Sequence, residues 1–81
     1  MDYLDFIWTD DRIEHLAQNG ITHDDFEHVM CNPIRNGFSR SSGRPAVWGN
    51  TLDGRYIIAV YEKIDDITVF PITAYEVSEP S

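Results

Sequence analysis

A chain of 81 residues, 42% hydrophobic and with one cysteine, has the length of a single domain with a thin core, spanning residues 1–81. That composition excludes disorder, an intramolecular disulfide and a thiolate zinc cluster. The formal net charge of −8 argues against loose, sequence-blind binding to nucleic acid, which runs on counterion release by cations.

The predicted elements begin with a helix capped by Thr9, with Asp10 and Asp11 in the first turn, where the helix dipole favours acids. Trp8 and Ile13 have the spacing of a hydrophobic staple, and Ile13, Leu16 and Ala17 form one apolar stripe. Asn19-Gly20 ends this helix, with Gly20 as the left-handed cap. A second helix repeats the pattern: Thr22 caps it, Asp25 completes an approximate capping box, and Ile21 and Phe26 form the staple. Cys31-Asn32-Pro33 ends it, because the residue before proline is pushed out of the helical region. The period then changes. Residues 34–40, 46–51, 55–63 and 67–76 read as strands, with a polar loop over Ser39–Pro45 and turns at Asp53-Gly54 and Asp65-Asp66. The third strand is apolar on both faces and belongs at the centre of a sheet. Pro71 requires a sheet edge or a bulge in the fourth. Residues 77–81 read as a frayed tail. The fold class is α+β: two N-terminal helices packed on a three- to four-stranded antiparallel sheet.

No apolar run approaches the roughly 20 residues that span a bilayer. The Met1–Asp5 opening is acidic where a signal peptide is basic. With a lone thiol at Cys31 as well, the chain reads as cytoplasmic, with no membrane partner.

Charge is unevenly placed. Residues 1–31 and 58–81 are strongly acidic, whereas residues 32–57 set Arg35, Arg40, Arg44 and Arg55 against Asp53. Arg40, Arg44 and Arg55 are the first candidate site. Arginines hold phosphate through paired donors and stabilise charge developing at phosphorus. The alternative is that they pair with the surplus carboxylates. Glu62 and Glu76 with Tyr61 and Tyr75, near the ends of two neighbouring strands, are the second. A carboxylate and a phenol can serve as base and acid when RNA is cleaved by its own 2′-hydroxyl, without a metal. Otherwise these glutamates are ion-pair partners and the tyrosines ordinary aromatics. Trp8, Trp48, Tyr56, Tyr61, Phe70 and Tyr75 offer rings for stacking bases, though most must be core in so small a domain. His15, His23 and His28 lack the i, i+4 spacing of a helical metal pair. Phosphate-loop, nucleophile-elbow and dinucleotide fingerprints are missing, and no cofactor is expected.

Taken together, Phe6-Ile7-Trp8-Thr9-Asp10, the run Ile13–Thr22, Asp25-Phe26-Glu27, the strand Gly54–Tyr61 and Ile72-Thr73-Ala74 resemble the BrnT family of toxins, over most of residues 6–76. The resemblance implies a RelE-superfamily fold. It also implies a type II toxin–antitoxin toxin that cleaves RNA without a metal and is neutralised by a cognate antitoxin or other small protein partner. Arg55 matches the family's basic residue at the start of the long strand, and Arg40 and Arg44 lie in the variable loop before it. On this reading Arg40, Arg44 and Arg55 hold RNA phosphate, while Arg44 and Arg55 with Glu62 and Tyr75 carry catalysis. Three features depart from the family. Tyr75 stands where an arginine is usual, an Arg- and Glu-rich C-terminal helix has no counterpart after Val77, and the chain is acidic where such toxins are basic. A non-catalytic protein-binding or regulatory module of the same fold is the alternative.

Overall fold

Thr9 and Thr22 start the two helices of the computed structural model, which describes residues 4–78. The Thr9 side chain accepts from the Arg12 amide and opens α1 (Asp10–Gln18). Thr22 opens α2 (His23–Cys31) with a complete capping box, its side chain accepting from the Asp25 amide while Asp25 accepts from the Thr22 amide. Between them Gly20 takes φ +77°. Its amide donates to Ala17 and that of Ile21 to Leu16, closing a Schellman turn over the buried pair Leu16 and Ile21.

Five strands follow the order β1-β5-β4-β3-β2 in one sheet: β1 (Asp5–Phe6), β2 (Arg35–Phe38), β3 (Pro45–Asn50), β4 (Tyr56–Lys63) and β5 (Thr68–Glu76). The four strands expected from the sequence are present, and β4 is central as its two apolar faces require. The expectation of an antiparallel sheet of three or four strands needs correction, because β1 adds a fifth, parallel to β5. Two residues carry no readable alternation, which is why Asp5–Phe6 gave no strand signal.

Pro71 lies in β5 just past the end of β1, which pairs only with Thr68 and Val69, and next to a bulge against β4. Val60 pairs with Thr73 and Tyr61 with Pro71, which leaves Ile72 as the extra residue. The Ile72 carbonyl accepts from Arg12 Nη1 at 2.8 Å. Asn19 Nδ2 donates to the Ala74 carbonyl at 3.0 Å, and His15 Nε2 lies 2.8 Å from Thr73 Oγ1. Helix α1 thus covers the part of β5 that β1 is too short to reach.

One face of the sheet packs on the helices. Leu16, Ile21, Phe26, Val29 and Met30 meet Val47, Ile57, Ala59, Val69 and Ala74 there. Each large apolar side chain so buried contributes roughly 1.5–3 kcal/mol. Trp8 closes one side, edge-on to Phe26 at 5.5 Å and donating from Nε1 to Glu27 Oε2 at 2.7 Å. The opposite face carries a smaller cluster of Ala46, Ile58 and Val60 with Trp48, Ile72 and Val77. Val77 is held there by its amide, which donates to the Tyr56 carbonyl at 3.0 Å. Of the expected frayed tail, residues 79–81 lie outside the described residues. Among the described residues no helix is long and apolar enough to cross a membrane.

Candidate functional site

On the face that the helices leave open, four strands place one residue each in a single transverse row. Arg35 pairs with Trp48, Trp48 with Ile58, and Ile58 with Tyr75. The row stays in register because the β-bulge falls beyond it, at Val60 and Tyr61. Gly37 makes room for the indole: a Cβ there would lie 3.1 Å from Trp48 Cζ3. The Arg35 guanidinium carbon sits 4.9 Å from the centre of the Trp48 ring, a cation–π contact.

The β2–β3 loop forms the rim. The Ser39 amide donates to the Arg44 carbonyl and the Gly43 amide to the Ser39 carbonyl, each at 2.8 Å. Gly43 supplies the positive φ of +72° that the loop needs. Ser39 is buried and its hydroxyl lies 3.2 Å from that of Ser41, so the loop is tied down at its base while Arg40 and Ser41 project at its tip. Loop and row together enclose a hollow of about 280 Å³ lined by Arg35, Phe38, Arg40, Ser41, Trp48, Ile58 and Tyr75. Tyr75 and Phe38 remain 39% and 69% exposed, so both rings are open to a ligand.

Of the residues expected to act, the structure therefore brings together Arg40 and Tyr75. Arg44 lies at the end of the same loop with an exposed side chain outside the lining. Glu62 is exposed at the far end of β4, in register with Phe70. Arg55 sits before the opposite end of β4 and is engaged within the fold. Its Nε donates to both Asp53 oxygens at 3.1 Å, and its Nη2 lies 3.5 Å from Asp25 Oδ2. Hydrogen bonding to Asp53 raises the Arg55 pKa above its ordinary value. The Asp53 carboxyl is lowered, first by the Thr51 hydroxyl and then by Arg55. Asp25 also accepts from the Leu52 amide at 3.2 Å, so this trio ties the start of α2 to the β3–β4 turn.

Compared with protein-family models, curated proteins and solved structures, the chain shows no match.

Arg35, Phe38, Ser41 and Ile58 line the hollow without having been candidates from the sequence, and Trp48 was one only as a stacking ring. Arg35 was visible as part of the basic segment and Trp48 as one aromatic among six, but nothing local pairs them. The β2–β3 register does that. Tyr56 is buried and Tyr61 packs against the main core, so neither offers a free ring. Among the described residues, no three His, Cys, Asp or Glu side chains group as metal ligands. Cys31 is exposed at the end of α2 rather than packed.

Proposed function

We propose that this chain is a metal-independent endoribonuclease of the type II toxin kind, acting on RNA at the open sheet face and held in check by a small protein partner. The observation that carries the reading is the convergence of Arg35, Arg40, Ser41 and Tyr75 on one hollow. Two guanidinium groups suit a phosphate whose charge grows during 2′-hydroxyl attack. The Tyr75 phenol donates its proton to the leaving 5′-oxygen while water takes the proton of the attacking 2′-hydroxyl, and Arg44 on the adjoining loop end extends the positive rim. The resemblance to BrnT-like toxins of the RelE superfamily supports the same reaction class. Arg55, tied to Asp53 and Asp25, serves the scaffold rather than the phosphate.

The test is turnover of single-stranded RNA by the purified chain with a chelator present. Arg40→Ala and Tyr75→Phe are expected to reduce the rate about 100-fold without lowering the unfolding midpoint. Absence of RNA turnover by the wild type sinks the enzyme reading. The second reading, a non-catalytic protein-binding module, is favoured by one observation. The exposed acids Asp10, Asp11, Glu14 and Asp24 on the helices form a surface suited to a basic partner.

A further inference from the structure

We propose that the hollow on the open sheet face is a one-nucleotide site, taking a single unpaired nucleotide with its base against the aromatic wall and its phosphate between Arg35 and Arg40. The choice of an RNA strand over a free nucleotide rests on the RNA reading above; both present the same groups.

Three observations converge on this ligand. The first is charge. Arg12 and Arg55 are already engaged by Asp11, Asp53 and Asp25, whereas among the described residues neither Arg35 nor Arg40 has a carboxylate within ion-pair distance. Of the four cations without an ion pair among the described residues, Arg35, Arg40, Arg44 and Lys63, two line the hollow, in a molecule of net charge −8. The second is shape. At about 280 Å³ the hollow falls just below the roughly 300–1,000 Å³ of small-molecule sites, the scale of a single nucleotide. The third is surface chemistry. The Arg35–Trp48 stack and the half-exposed Tyr75 ring give flat faces on which any base can lie. Ser41 adds a hydroxyl on the rim for the sugar or phosphate.

Two cationic contacts also fix the salt dependence. On single strands each phosphate contact contributes about 0.7 to the slope of log affinity against log salt, so two give at most about 1.4. A basic groove tracking many phosphates would give several times more.

The experiment is titration of the full chain with an uncleavable 2′-O-methyl hexanucleotide, its duplex, a nucleoside monophosphate and a phosphotyrosyl peptide. Quenching of Trp48 is followed in a Trp8→Phe background whose fold is confirmed by its melting curve. The single strand is expected to bind and to quench Trp48, with a salt slope no steeper than 1.4. Arg35→Ala and Arg40→Ala are each expected to weaken it at least tenfold, and Lys63→Ala to leave it within twofold. Arg40 lies on an exposed loop, so its loss tests the site without testing the fold. A monophosphate that binds as tightly as the strand supports the site and assigns it to a free nucleotide. The proposal is overturned if both arginine variants bind like wild type, if duplex and strand bind alike with a steep slope, or if only the phosphotyrosyl peptide binds. Strand binding without cleavage of ordinary RNA leaves the site standing and removes the ribonuclease reading. Cleavage indifferent to Arg35 and Arg40 does the reverse.

Discussion

Among the described residues Asp25 is the one buried acid. Its carboxylate accepts from the Thr22 and Leu52 amides and faces Arg55, with the side chain only 10% exposed. Removing it takes one of two carboxylates from Arg55 and the acceptor from two amides. Asp25→Ala is therefore expected to cost on the order of 2–3 kcal/mol. Arg55→Ala should cost less, because Asp25 keeps its amide donors. The two share one interaction, so the double variant is expected to lose less than the sum of the singles. Urea unfolding of the four proteins measures this, and strictly additive losses would show that the contact carries no energy. The same set gives the stability loss at Arg55 against which any loss of RNA turnover in Arg55→Ala is read.

At the scale of elements, the relation of α1 to β5 holds the open row in place. The strand is bulged at Ile72, and its free edge is covered by Arg12 and Asn19 rather than by another strand. Uncovered edges invite pairing with other chains. Arg12→Ala exposes the Ile72 carbonyl and removes a charged donor, for an expected loss of about 1.5–3 kcal/mol. Faster amide exchange along β5 than along β3 is the expected signature. Equal exchange in both strands would mean that α1 adds nothing to the edge. Helix limits were legible because their signals are local: Thr9, Thr22 and Gly20 act on residues within one turn. That Pro71 needs an edge or a bulge was legible too, since it lacks an amide wherever it sits, but which of the two it takes was not. That β1 exists, and that it runs parallel to β5, was not legible, because two residues have no period to read.

Across the whole molecule, charge divides by face. The helices expose acids, while the hollow keeps Arg35 and Arg40 on the far side of the sheet. Such a molecule repels a polyanion at distance, so on the proposed reading a strand is held only by its contacts at the hollow. Glu14→Gln/Asp66→Asn, both outside the hollow, are expected to raise the association rate for a single-stranded oligonucleotide at low salt and to leave dissociation unchanged. Stopped-flow mixing distinguishes the two rates, and an effect confined to dissociation would place these acids at the site itself.

The sequence by itself determined the α+β class, both helices with their caps, four of the five strands, the central place of β4 and the location of the basic segment. Each of these follows from residues close together along the chain: a hydroxyl three residues from an amide, a glycine at a positive φ, an alternation with period two. Only the tertiary structure decided which arginines are available. Arg55 and Arg40 look alike in sequence, yet the packing of α2 against the β3–β4 turn brings Asp25 to Arg55 across 30 positions. Strand register, which couples Arg35 to Trp48 and through Ile58 to Tyr75, assembles the hollow. Pairing and packing over such separations depend on the whole core at once, so no local pattern encodes them.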